Sequence, residues 1–267
     1  MWRDTVATGW FAIVMLACTS TGFAYEVIEV RNGGTITGSV ALTGTPLPPR
    51  HFTVRKGAEV CGANRVLTKV EAHHGMVRGV IVAIEGVEQG KPFPAYQAKA
   101  NGPGHGEFHY TGGNTMNLGV HLKTCSFGPF TGVMMADDII RFVNHDSIKH
   151  ILHTYALKGR NAKMLKTVHT QSLGAESQTE KVFPAKRLRH AHAVALTCDR
   201  HDFMENWLYL AHNPYYAISD ETGHFSIDRV PPGDYVIVAW HPVLGMQEQH
   251  VTIASHGRLA ANFEFKK

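Results

Sequence analysis

Long amphipathic runs of period 3.6 are scarce in this sequence, which argues against a helical bundle. Charge is scarce too: 18% of residues are charged, and a net charge of +4 is too mild to mark a dedicated nucleic-acid binder. Beyond the N-terminus no apolar stretch is long enough for a membrane span. There is no Ser-His-Asp set, paired-carboxylate motif or phosphate-cradling glycine loop, so a hydrolase or kinase reading has no support. Internal repeats and low-complexity tracts are also missing. Cysteine is limited to four residues, too few for a disulfide scaffold.

What is present points to strands. Glycine and proline are frequent, and 267 residues suffice for one large or two modest domains. Thr35–Leu42 alternates, Val77–Ile84 is dense in valine and isoleucine, and Ile139–Val143, Ala193–Cys198 and Tyr235–Trp240 read as further strands. Asp220-Glu221-Thr222-Gly223 and Pro231-Pro232-Gly233 are turn signals. The segment 158–184 reads as a polar excursion, and 91–113 as a connection.

The N-terminus reads as an export signal. Arg3 precedes an apolar stretch from Trp10 to Ala17, and Gly22-Phe23-Ala24 fits a cleavage site, so residues 1–24 are expected to leave the mature chain. Met15-Leu16-Ala17-Cys18 is a poor lipoprotein box. The expected location is periplasmic or secreted. Cys18 leaves with the signal, and Cys61, Cys125 and Cys198 remain. In an oxidising compartment an odd count predicts one pair and one thiol kept for another purpose. A Cys61–Cys125 pair would close a long loop and contribute on the order of 4 kcal/mol. The alternative is three buried free thiols.

The chemistry concentrates in Cys198-Asp199-Arg200-His201-Asp202-Phe203-Met204, where a thiolate, an imidazole and a thioether follow one another at three-residue steps on a loop after a strand. Soft sulfur with imidazole suits copper better than magnesium, calcium or manganese. A further ligand must come from elsewhere, and His150, in Asn144-His145-Asp146-Ser147-Ile148-Lys149-His150 after the Ile139–Val143 strand, is the candidate. His150, Cys198, His201 and Met204 then make the expected metal set, a trigonal Cys-His-His arrangement with a weak axial methionine. Four filled positions leave no open site for a substrate, so no enzyme is expected.

These stretches resemble the plastocyanin and amicyanin-like cupredoxins, most closely periplasmic proteins of the methylamine-utilisation type. Those show "Cys-x-Phe-x-Pro", "Asn-x-Asp-x3-His-Asn-x-His", "Cys-Asp-x-His-x-x-Met" and "His-Pro-Tyr-x-Ala". The counterparts here are Cys125–Pro129, Asn144–His153, Cys198–Met204 and His212–Ala217. The resemblance covers roughly Phe108–Trp240 and implies a Greek-key β-sandwich with copper at one end. It implies His201 as the solvent-side electron port, with Phe203 in the contact patch. It places His153 and Asn144 in the outer shell or, for His153, as a possible extra ligand. A redox partner such as a c-type cytochrome, a dehydrogenase or an oxidase follows from the family alone. The family's asparagine after the upstream ligand, which ties the two ligand loops together, is Ile151 here.

The flanks resemble a carboxypeptidase-regulatory, transthyretin-like sandwich, through Gly34–Val40, Asp220–Ile227 and Val230–Tyr235. The expected fold is all-β: a cupredoxin sandwich at 101–214, inserted into a second sandwich made from 25–100 and 215–267. Other histidines read more plainly. His190 and His192 are expected on an exposed strand face, with a second metal site as the alternative. His73, His74 and His105–His109 read as loop residues, and His241 as a packed residue.

Overall fold

The computed structural model describes residues 25–101, 104–159 and 163–267. The expected signal, with Cys18, lies outside them. Among the described residues the regular structure is nearly all strand, with two helices of four residues each, Ala58–Cys61 and Ala185–Leu188. No helix among the described residues is long and apolar enough to cross a membrane.

Four main sheets carry the molecule. The front sheet runs Gln178–Val182, Ile139–Asn144, Leu118–Leu122, Glu107–Tyr110, Tyr96–Lys99. The ligand sheet runs Thr131–Met135, His201–Ala211, Ala193–Cys198, His150–Lys158, Lys163–Leu173. Phe108, Val120, Ile140 and Phe142 of the first, and Leu152, Val194, Leu196 and Leu208 of the second, fall in one buried core, which makes the pair a β-sandwich. The third sheet runs Tyr216–Ile218, Ile81–Glu85, Gly233–His241, Gly245–Ile253. The fourth centres on Gly34–Thr43, which pairs with His224–Val230, Met76–Arg78, Arg258–Ala260 and Phe263–Lys266. These last two enclose a second core that holds Ile36, Val40, Val82, Ile84, Ile237 and Phe263.

The third sheet serves both cores. Ile81, Ala83, Val238 and Trp240 belong to the first core, and their neighbours Val82, Ile84, Ile237 and Ala239 to the second. Successive side chains of a strand point to opposite faces, so a sheet covered on both sides needs an unbroken apolar run. That is why Ile81–Ile84 and Val236–Trp240 show so little alternation. Tyr209 of the ligand sheet meets Trp240 with ring centroids 5.7 Å apart, which ties the first sandwich to this shared sheet.

Three expectations shift. A division at 100/101 passes through the front sheet, because Tyr96–Lys99 is hydrogen-bonded to Glu107–Tyr110 as its edge strand. The segment 158–184 is no excursion: its strands Lys163–Leu173 and Gln178–Val182 are edge strands of the ligand and front sheets. His109 lies within a strand, while His190 and His192 precede the strand that begins at Ala193.

Candidate metal centre

All three nitrogen and sulfur candidates lie at one end of the ligand sheet. Ala193–Cys198 and His201–Ala211 form a hairpin with Asp199 and Arg200 at its tip, where Cys198 pairs with His201. The ligands expected on an open loop are therefore held by a tight turn, and Met204 lies inside a strand. His150 opens the neighbouring strand, where Leu152 pairs with Cys198. Cys198, Leu152 and His150 share the core-facing side by strand alternation. Ile151 and His153 face the other way.

The resulting pocket is closed. His150 is fully buried, His201 is 3% exposed and Cys198 is 4% exposed. The Cys198 sulfur lies 3.7 Å from His150 Nδ1 and 3.6 Å from His201 Nδ1. The donor atoms of the three residues all fall within 4.8 Å of one another. Each imidazole is tied by its far nitrogen: His150 Nε2 donates to Asp146 Oδ2 at 2.9 Å, and His201 Nε2 to the Lys56 carbonyl at 3.1 Å. With Nε2 occupied, each ring presents Nδ1 to the sulfur. A distal hydrogen bond that fixes tautomer and orientation is how proteins preset histidine ligands.

Charge follows the same geometry. Burial pushes the Cys198 thiol up, but hydrogen bonds from His150 and His201, and from the Arg200 and Ile151 backbone, outweigh it and bring the group down to about 6. Burial works against protonated His150, yet Asp146 and Cys198 together raise it to about 9. Burial likewise opposes ionised Asp146, but His150 and the Cys125 N–H hold it below the ordinary carboxylate range. Both shifts favour the charged pair, so the geometry of the pocket makes its soft donor easy to deprotonate.

Asp146 is the residue that sequence reasoning missed. It is 4% exposed, and its Oδ2 accepts from His150 and also from the Cys125 N–H at 2.8 Å. Its place four residues before His150 was the available signal. Asn144 works one step further out. Its amide donates to the carbonyls of Ile148 and Gly174, and its Oδ1 accepts from the Asp146 N–H. It sets the loop that aims Asp146. His153 is not brought to the pocket: Nδ1 meets Asp199 and Nε2 meets Thr170, on the opposite strand face. The tie that Ile151 cannot make through its side chain is made by its backbone, whose carbonyl accepts from Asp199 N–H at 3.0 Å.

Met204 is buried in the first core. Leu196 pairs with Asn206, so Met204, two residues before Asn206, lies on the face that carries Leu196 and Cys198. It also lines a cleft with Cys125, Phe127 and Tyr96.

The expected electron port is not at the surface. A cap made from the hairpin Arg50–Thr53 with Asn64–Leu67, and the short helix between them, covers His201 and Phe203. The Cys61–Cys125 disulfide is formed and anchors it. Phe52 meets Phe203 edge-on at 5.9 Å, and the Arg65 guanidinium sits over the Phe203 ring at 5.2 Å. Arg65 also donates to the carbonyls of Cys61 and Thr124. The cap precedes the stretch that resembles cupredoxins, which is why that resemblance implied an open port.

Similarity to known proteins is partial. A family described as polysaccharide lyase family 4, domain II matches residues 187–260, which run from the ligand sheet into the shared sheet. No curated protein matches the chain. Solved structures of amicyanin variants align with it. The Cu(I) form of a methionine-to-glutamine variant is 14% identical and covers 35% of this chain and 80% of that one, at a TM-score of 0.26. The reduced form of a tryptophan-to-tyrosine variant is 16% identical and covers 49% and 98%, at a TM-score of 0.27.

Proposed function

We propose that this chain is an exported copper-binding protein acting as a one-electron carrier, with His150 Nδ1, Cys198 Sγ and His201 Nδ1 as ligands and Met204 as the fourth donor. The supporting observation is the donor set itself: one depressed thiolate and two orientation-locked imidazoles, converging in a buried pocket. Thiolate with imidazole selects copper over hard cations. Copper bound there supplies one-electron chemistry between Cu(II) and Cu(I). The chain's contribution is rigidity: the hairpin, Asp146 and the Lys56 carbonyl keep all three donors in place in both oxidation states.

The cap sets the route. Because His201 is covered, its Nε2–H···O=C bond to Lys56, whose side chain is exposed, would be the link between the pocket and the surface for electrons supplied by bound copper. A redox partner then docks on the cap. We further read the first sandwich, together with the cap, as the unit that holds copper, and the second as its scaffold.

The test is a Cu(II) titration of the mature protein followed by visible and EPR spectroscopy. An intense thiolate-to-copper band that saturates at one equivalent, and is lost in Cys198→Ser with the fold intact, supports the site. Colourless binding through histidine alone would sink it. The burial of His201 also favours a second reading, copper storage or delivery without electron traffic. Fast reduction of the coloured form by a small outer-sphere donor supports the carrier. Reduction only after the cap is opened, by removal of the disulfide, supports storage.

A further inference from the structure

The solvent face of the front sheet carries a second group of donors that shares no residue with the Cys198 pocket. Glu107 and His121 are cross-strand partners, and His109 lies two pairs further along, opposite Gly119. Alternation sends Phe108, Val120 and Leu122 into the core and these three to the other face, where Glu107 is buried beneath its neighbours and the two histidines are half-buried. Donor atoms of Glu107, His109 and His121 all lie within 4.8 Å of one another. His145, just past the end of the Ile139–Asn144 strand, completes the row. Its Nε2 is 3.0 Å from His121 Nδ1, and its N–H donates to the Leu122 carbonyl. The three rings lie along one another, with centroids 4.2 Å apart for His109 and His121 and 5.2 Å for His121 and His145. Gly119, between His109 and His121, leaves the floor open: a Cβ there would touch His121 Nε2 and His109 Cβ at 3.4 Å.

We propose that Glu107, His109 and His121, with His145 orienting the His121 ring, form a surface site for a divalent transition-metal ion of the copper–zinc type. Imidazoles with one carboxylate suit Cu(II) and Zn(II) better than the softer, sulfur-seeking Cu(I). His121 is held at the centre of the site, its Nδ1 on His145 Nε2 and its ring against that of His109. The site also contains a built-in competitor. Lys123 donates to Glu107 Oε1 at 2.6 Å, Lys99 stands 3.9 Å from Oε2, and Gln97 donates to Oε2 at 2.7 Å. A metal ion must displace the Lys123 ammonium, so removing that charge strengthens binding.

The test uses the full mature chain titrated with two equivalents of Cu(II). EPR distinguishes a thiolate site from a nitrogen-rich one. Expected is a second equivalent with a histidine-type signal, weakened by on the order of 100-fold in His109→Ala/His121→Ala. It should be tightened in Lys123→Gln and unchanged in His190→Ala/His192→Ala. Far-UV circular dichroism checks each fold. A histidine-type signal that survives the His109/His121 change, or disappears with the His190/His192 change instead, overturns the proposal, as does a wild-type chain that shows no histidine-type signal. The Cys198 band is read separately, so loss of the carrier reading and loss of this site give different spectra.

Discussion

At the residue scale, the pocket proposed to hold copper depends on the groups that position its donors as much as on the donors. Asp146 is the clearest case: it is buried, and it bonds both His150 Nε2 and the Cys125 N–H. Asp146→Asn keeps the shape and removes the charge. It is expected to lower copper affinity by roughly 10- to 100-fold, measured by competition with a chelator of known affinity. Fully buried His241 makes a different prediction. Its Nδ1 accepts from the N–H of Val243 and Leu244, and burial, helped by Lys267, drives it down to about 3. The unfolded chain therefore takes up a proton near pH 6.5 that the folded chain refuses until about 3. Stability is unaffected above 6.5 and falls below it, by about 1.4 kcal/mol per pH unit from this group. His241→Asn, which retains an acceptor, should flatten that limb in denaturant unfolding measured from pH 7 to pH 4. An unchanged slope would show that another group controls it.

At the element scale, the cap and the ligand hairpin are the deciding pieces. The strand ending in Cys198 was legible from local alternation, but its return as a hairpin through His201 was not: that stretch read as a loop, and pairing with the preceding strand makes it a strand. The paired cysteines were legible by arithmetic. That their bond lays a cap across His201 was not legible, because Gly57, Cys61 and His201 meet only through contacts more than a hundred residues apart. The cap turns at Gly57, at φ +73°, where a Cβ would come within 2.7 Å of Ile148 Cδ1. Gly57→Ala is expected to cost about 1–3 kcal/mol and to speed copper loss to a chelator. The double change Cys61→Ala/Cys125→Ala should cost on the order of 4 kcal/mol and accelerate copper exchange further. Unchanged exchange rates in both variants would show that the cap does not gate the metal.

At the scale of the molecule, the two sandwiches are joined by the sheet of Ile81–Glu85 and Gly233–His241, whose alternate residues fill different cores. Damage to either core should therefore be felt by both. Ile237→Ala, in the second core, is expected to cost about 2–5 kcal/mol. It should also lower the temperature at which the Cys198–copper band disappears, in step with the far-UV signal. Loss of strand signal with the band retained would show two independent units.

Alternation and turn residues determined, without any structure, that this is an all-β protein, and the spacing from Cys198 to Met204 singled out the sulfur–imidazole cluster that His150 joins. These are local properties of neighbouring residues, and strand geometry translates them directly. The tertiary structure alone decided which face each histidine takes. It turned His153 away, brought His109, His121 and His145 together, set Asp146 behind His150, and closed the cap over His201. Each of those outcomes rests on strand pairing between segments distant in the chain. Register there is chosen by which residues two opposed cores can bury.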